Sequence, residues 1–222
     1  MIKKSAIIIF GPPNSGKGTQ AKLLAEKLGF FHFMTSPIFK HYMQTRDDPE
    51  TIRQKELYAK GILLDPSWVL QIVKEKTQEV FDQDKGIVYD GASRTLYEAE
   101  GLYPFLVDLF GKENIKIVEI KVDEEERRKR SAKRLICEKD SSHVFILSEE
   151  LQPKTPCPEG DGVLQKRDLD DESLFRTRMD EYNERTMPGL DFLKNKHPVI
   201  EVNGEQSILK VHQDILLALK LT

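Results

Sequence analysis

The chain has 222 residues, 39% of them hydrophobic and 32% charged, with a net charge of −3 at neutral pH. That length buries a full core and fits one domain carrying insertions, while the near-balanced charge excludes an electrostatic grip on nucleic acid or on a membrane surface. Nucleotides are the partners this composition favours, and two cysteines, Cys137 and Cys157, are too few for a disulfide scaffold and suit a reducing compartment.

Lys3 and Lys4 lead into the apolar run 6–10, which is too short and wrongly flanked for a signal or membrane segment, so a cytoplasmic protein is expected. Residues 11–19 then read Gly-Pro-Pro-Asn-Ser-Gly-Lys-Gly-Thr ahead of an amphipathic helix. This is the pattern of a phosphate-binding loop. Gly11 and Gly16 let the backbone curl until consecutive N–H groups beyond Pro13, those of Asn14, Ser15 and their neighbours, converge on a phosphate, with the helix N-terminus adding partial positive charge. Lys17 brings a mobile point charge to the outer phosphates. Gly18 takes the usual Ser/Thr slot and the hydroxyl comes at Thr19, so direct Mg²⁺ ligation by the loop is in question and coordination through water is the alternative. A Gly-rich turn that binds nothing fits the strand, loop and helix context poorly.

The helix after the loop carries Ala21, Leu24, Ala25 and Leu28 on one stripe and stops at Gly29. Apolar runs recur at 30–34, 87–89, 115–122 and 199–202 with helical periodicity between them, which predicts an α/β fold with a mostly parallel sheet. Two stretches interrupt the alternation. Residues 35–66 read as helices with Asp47-Asp48-Pro49 as a turn and N-cap, and residues 137–167 hold Pro153, Pro156, Pro158, Gly160 and Gly162. Both fall at strand ends, where a doubly wound sheet carries its ligands, so both are candidate lids.

Asp90-Gly91-Ala92-Ser93-Arg94-Thr95 follows the run 87–89. Asp90 can orient the water shell of Mg²⁺ and Arg94 can fork onto a phosphate, the bland alternative being a turn with one structural ion pair. Arg130 and Arg134 lie one helical turn apart before the proline-containing insertion, and Arg167 and Arg178 follow it. Arginines converging on a lid neutralise polyphosphate and exclude water, which is what phosphoryl transfer asks of a protein. Arg127, Arg128, Lys129 and Lys133 are assigned to solvent, and Arg176 to solvent or a salt bridge. Trp68 is read as structural, and the helix 206–219 presents Ile208, Val211, Ile215, Leu216 and Leu219 as a core stripe.

On these motifs the chain resembles the adenylate kinases, nucleoside monophosphate kinases of the P-loop class, over nearly its whole length. The family's G-P-P-G-x-G-K-G-T-Q is matched by residues 11–20, chiefly differing at Asn14. Its S-T-G-D-x-x-R corresponds to residues 34–40, keeping Thr35 but placing Pro37 for the acid and Lys40 for the arginine; its G-x-L-V is Gly61-Ile62-Leu63-Leu64; and its D-G-F-P-R-T is residues 90–95 with Ala92 and Ser93. The later arginines match at Arg130, Arg134, Arg167 and Arg178, followed by an acidic pair at Asp170 and Asp171, or Asp168 and Asp170.

The resemblance implies a three-layer P-loop fold with a central parallel sheet of five strands, a core of 1–34, 67–134 and 168–222, a monophosphate-binding insertion at 35–66 and a lid at 135–167. It implies transfer from Mg²⁺·ATP to a monophosphate, AMP first, by a monomer. Lys17, Asp90, Arg94, Arg130, Arg134, Arg167 and Arg178 would be catalytic. Loop residues 11 and 13–19 with Arg130 and Gln206 would hold the donor, and Thr35, Lys40, Leu64, Gly91, Arg94 and Glu98 the acceptor. Arg130 would also stack on the donor base, and residues 203–206 would meet the donor adenine through their backbone.

Glu98 replaces a base-reading Gln. An ionised carboxylate suits guanine N1–H and 2-amino better than adenine, so GMP or relaxed base choice is the alternative, while Thr95 favours adenylate over pyrimidine kinases; Glu98 facing solvent or riding protonated stays open. A rival reading, suggested by Pro37, Lys40 and Ser93, is a regulatory nucleotide binder without turnover; a P-loop switch hydrolase lacks its water-positioning motifs. Many family lids bind zinc through C-x2-C-x16-C-x2-C or an Asp-ended variant, and the corresponding positions here are Cys137, Asp140, Cys157 and Gly160. A lid without metal is the first expectation. Zinc on Cys137, Asp140 and Cys157, completed by Glu159, Asp161 or His143, is the second, and a redox pair of the cysteines the third.

Overall fold

A computed structural model describes residues 4–221, so Lys3 lies outside the described residues. The apolar runs pair in parallel as β1 (Ala6–Phe10), β2 (Phe31–Met34), β3 (Ile87–Asp90), β4 (Ile115–Lys121) and, from near the C-terminus, the strand Val199–Asn203. Their spatial order is β2, β3, β1, β4 and then 199–203, with β1 in the centre. Strand periodicity sorts the two faces. Ala6, Ile8 and Phe10 pack with Phe33, Tyr89 and Ile117 on one side, and Ile7 and Ile9 with Val88, Val118 and Ile120 on the other.

Helices cover both faces because each has one apolar stripe and a defined start. α1 (Lys17–Leu28) buries Ala21, Leu24 and Ala25 and ends at Gly29 in the left-handed region, as its sequence predicts, whereas Leu28 stays partly exposed at the rim. α2 (Thr35–Thr45) and α3 (Pro49–Ala59) form the first insertion, and Asp48 caps α3 by accepting from Thr51 N at 3.0 Å. α4 (Pro66–Asp82) starts on an Asp65 cap with Pro66 in its first turn. Trp68 packs against Phe39 and Tyr42, a structural role. α5 (Leu96–Phe110) starts on Thr95.

α6 (Glu124–Lys133) leads into the second insertion, a small antiparallel sheet in which β5 (Arg134–Cys137) lies between β6 (Val144–Ile146) and β7 (Leu164–Lys166). Leu135, Cys137, Cys157 and Leu164 form its buried centre, and the prolines lie in the β6–β7 connection. The chain returns through α7 (Glu172–Glu181), a π-helical turn at Tyr182–Thr186, α8 (Met187–Lys196), β8 (Val199–Asn203) and α9 (Ile208–Ala218). No helix among the described residues is long and apolar enough to cross a membrane.

Two readings of side chains are corrected. Arg127 is not solvated: its Nε donates to the Val122 carbonyl at 3.1 Å and its guanidinium meets the Met179 sulfur, because α6 turns this face onto α7. Ile208 is 50% exposed; it opens α9 just past the Ser207 cap, before the buried stripe of Val211, Ile215, Leu216 and Leu219 begins. Arg128, Lys129, Lys133 and Arg176 do lie at or near the surface, with Arg128 paired to Glu124 and Glu172.

Candidate active site

A cavity of about 870 Å³ opens where β1, β2 and β3 end at Phe10, Met34 and Asp90. The loop 11–19 forms its floor. Asn14 sits at φ 64°, in the left-handed region that Asn tolerates better than most residues, which accounts for its standing where the related pattern has Gly. The Asn14 amide and the Ser15 hydroxyl are buried without a partner, polar groups turned into the loop. A side chain at Gly18 would come within 2.9 Å of Asp90 Oδ2, so the glycine in the usual hydroxyl slot makes room for that carboxylate beside the loop.

The segment after β3 wraps around Arg94. Gly91 takes φ 93° and a Cβ there would strike the guanidinium, which donates from Nε to the Gly91 carbonyl at 2.8 Å and lies 3.5 Å from Thr35 Oγ1. Glu98 is buried, not solvent-facing. One of its oxygens accepts from Arg94 N at 2.9 Å and the other from the Thr95 hydroxyl at 3.0 Å, while Thr95 Oγ1 accepts from Glu98 N, a reciprocal cap that rigidifies the turn. Burial pushes the Glu98 carboxyl above its usual range against the opposing pull of those donors and of the charges on Arg94 and Arg185.

Four more arginines line the cavity. Arg130 donates to Gly204 O at 2.8 Å and Ser15 O at 3.4 Å, tying the phosphate loop to the turn after β8. Arg134 is not in the helix with Arg130 but starts β5; it forks onto Asp170, which also meets Arg178 at 3.5 Å, and Arg167 lies in the same wall. Burial lowers the Arg178 pKa to about 9, Arg167 and Arg134 adding to the effect and Asp170 opposing it. Burial likewise draws Lys17 down to about 7, with Asp90 opposing and Arg94, Arg178 and Arg134 reinforcing it. A cluster of cations lining one cavity in this way could accept a polyanion between them.

Thr35, Leu64, Gly91 and Gln206 reach the same cavity, and Lys40 does not: it is exposed, with its ammonium 5.7 Å from the Tyr58 ring. Glu205 accepts from Asp123 N at 2.8 Å, so Gly204 and Gln206 are the members of the 203–206 turn that face the cavity. Sequence reasoning missed Glu181, Tyr182 and Thr186, which line the cavity from the end of α7 and the π-helical turn. Only the widened turn aims them inward, and no local pattern announces it.

In the lid, ligand atoms of Cys137, His143 and Cys157 all lie within 4.8 Å of one another, and both thiols are free. Gly160 has no side chain to offer, and the His143 ring lies beside it, 3.3 Å from where a Cβ would stand. Asp140 and Glu159 flank that ring at 3.5 and 3.8 Å. Burial opposes ionisation of Cys137, but backbone N–H groups of Asp140 and Lys139 outweigh it and hold the thiol below its ordinary value.

A phosphate loop at the end of the central strand of a parallel sheet, walled by arginines and flanked by two inserted pieces, defines a P-loop phosphotransferase. The description "Adenylate kinase" belongs to the family model that matches residues 9–198. Among curated relatives, the adenylate kinase of Methanocella arvoryzae is 30% identical over 96% of this chain and 97% of its own length. That of Chlamydia pneumoniae is 32% identical over 97% and 98%, and that of Clostridium botulinum strain Langeland 32% over 94% and 95%. The chain belongs to the adenylate kinase family.

Proposed function

We propose that the protein moves the terminal phosphoryl group of ATP reversibly to AMP, giving two ADP, as a cytoplasmic monomer whose site comes from one chain. The observation that carries this is the meeting of Lys17, Asp90, Arg94, Arg130, Arg134, Arg167 and Arg178 on one cavity. Residues 11 and 13–19 hold the donor phosphates, with Lys17 on the outer ones. Arg94 and Thr35 hold the acceptor phosphate against the turn 91–95. Arg134, Arg167 and Arg178 gather on the transferred group as the lid 135–167 closes over the core and the insertion 35–66, excluding water. Arg130 and Gln206 frame the donor base beside Gly204.

Magnesium carried by the donor would supply charge neutralisation at the phosphates, and Asp90, whose Oδ2 lies beside Gly18, is the hard oxygen donor that would hold its waters. Lys40 has no place in this scheme; Arg94 carries the acceptor phosphate without it.

AMP is put before GMP on Thr35 and Thr95, which follow the adenylate pattern, and the buried Glu98 is the residue on which the choice is tested. Burial raises the Glu98 pKa toward the neutral acid while the hydrogen bonds from Arg94 N and the Thr95 hydroxyl oppose it; as the neutral acid, its O–H would donate to adenine N1 and its carbonyl accept from the 6-amino group, as a Gln amide would. A coupled assay of ADP formation from Mg²⁺·ATP and AMP tests the reading: turnover that disappears in Lys17→Ala supports it, and binding of ATP without turnover would favour the non-catalytic alternative.

The lid residues fit a structural zinc. Cys137, Cys157 and the Nδ1 of His143 supply three soft or borderline ligands, His143 taking over for the missing side chain at Gly160, while Asp140 and Glu159 lie at its other nitrogen, where they would orient the ring instead of ligating. Elemental analysis of protein purified without chelator is expected to find close to one equivalent of zinc; less than about a tenth would make the lid metal-free.

A further inference from the structure

The segment Gly61–Leu64 follows α3 and forms part of the cavity wall. Its first two residues donate back to α3, Gly61 N to Tyr58 O and Ile62 N to Leu57 O, both at 3.1 Å, and two further points bind it. Asp65 N donates to the buried Gln54 Oε1 at 2.9 Å, a contact within the insertion itself. The second point reaches the core: Leu63 N donates to Glu181 Oε2 at 2.8 Å, Arg185 Nη1 donates to the same oxygen at 3.0 Å and to the Leu63 carbonyl at 3.3 Å. One ion pair therefore captures both backbone groups of a single residue.

Glu181 ends α7 and Arg185 lies in the π-helical turn, the same turn that carries Tyr182 and Thr186 to the cavity. π-helical turns are rare and concentrate at functional sites. Thr186 Oγ1 in turn donates to the Arg94 carbonyl at 2.9 Å, and the charge on Arg185 bears on Glu98. The wide turn thus holds the wall segment and the Arg94 backbone by hydrogen bonds, while its Arg185 charge acts on the buried carboxyl.

We infer that Glu181 and Arg185 are positioning residues that clamp Leu63 to the core and so set the acceptor pocket's wall before the monophosphate arrives. This rests on the reading of 61–64 and Arg94 as the acceptor side. Charge-assisted hydrogen bonds to backbone are the strong kind, and a wall already in place spares the acceptor the cost of ordering it. The donor side, built from the loop and residues 204–206, makes none of these contacts.

The test is steady-state kinetics on wild type, Arg185→Met, Glu181→Gln and Arg185→Lys, with AMP and ATP varied in turn, together with hydrogen exchange at the Leu63 amide in the ligand-free protein. The clamp predicts that Arg185→Met and Glu181→Gln raise KM for AMP by about tenfold, with KM for ATP unchanged and kcat within about twofold. Arg185→Lys recovers most of the AMP effect, and the Leu63 amide, which donates to Glu181, is protected in wild type and exchanges faster in Glu181→Gln, whose neutral amide oxygen is the weaker acceptor. Unchanged KM for AMP in both variants, or KM rising equally for both nucleotides, overturns the clamp. Should the variants fail to fold, a Leu63 amide that exchanges in wild type as fast as an open loop overturns it equally. A wild type without ADP formation from AMP fails the functional reading instead, and is recognised before any variant is compared.

Discussion

Lys17 lies among Arg94, Arg134 and Arg178, and its burial there lowers its pKa from 10.5 to about 7, so the ligand-free protein holds an ammonium it would rather not charge. The linkage follows directly. Between pH 7 and 10.5 the unfolded chain binds the Lys17 proton more tightly than the folded one, so this residue costs most stability at and below pH 7 and progressively less above it. Lys17→Met is therefore expected to raise the urea midpoint of ligand-free protein more at pH 7 than at pH 9.5, while abolishing turnover; an equal gain at both pH values would contradict the assignment. Glu98 has the opposite linkage to its ligand. If the neutral acid reads adenine, KM for AMP rises as pH climbs through the raised pKa of Glu98, and Glu98→Gln flattens that profile. Lys17 was legible in the sequence because a contiguous motif fixes its surroundings. Glu98 was legible as a departure but not in its environment, which depends on a cap closing back over Arg94, and Lys40 was misplaced because only the packing of α2 beside Tyr58 decides where it points.

Strands and helices were readable wherever one periodicity ran unbroken. The five core strands and the caps at Gly29 and Asp48 stand close to where the apolar runs and turn residues put them. The antiparallel lid sheet and the π-helical turn were not readable, since β6 and β7 are 3 residues each and pair across a proline-rich connection, while a π turn has no sequence period of its own. The charged stripe of α6 misled for a related reason: Arg127 belongs to it by spacing yet is buried by α7. Arg127→Ala is expected to lower stability by about 2 kcal/mol through lost packing and an orphaned Val122 carbonyl, with KM values unchanged. Asp170 joins β5 to α7 by holding Arg134 and Arg178 together, its side chain 5% exposed. Removing its charge leaves two buried guanidiniums opposed, so Asp170→Asn should cost about 3 kcal/mol in chemical denaturation and at least about tenfold in kcat.

At the scale of the whole molecule, the parallel sheet carries two insertions that are tied to the core in different ways. The first is held to the core at Leu63 by the Glu181–Arg185 pair, whereas the lid meets α1 through a Lys22–Glu159 bridge of 2.9 Å between half-exposed side chains, worth little to stability. On the proposed function, the acceptor wall is the side of the pocket already tied to the core, and the lid is the side held more loosely. The relatives and the family model agree on the class of chemistry, and the proposed function leaves the acceptor base to be tested at this chain's own Glu98. The most direct test is kcat/KM for AMP and for GMP with saturating Mg²⁺·ATP, measured side by side at pH 7. The account predicts AMP at least about tenfold better, with both activities absent in Lys17→Ala; GMP turned over as well as AMP or better would contradict it.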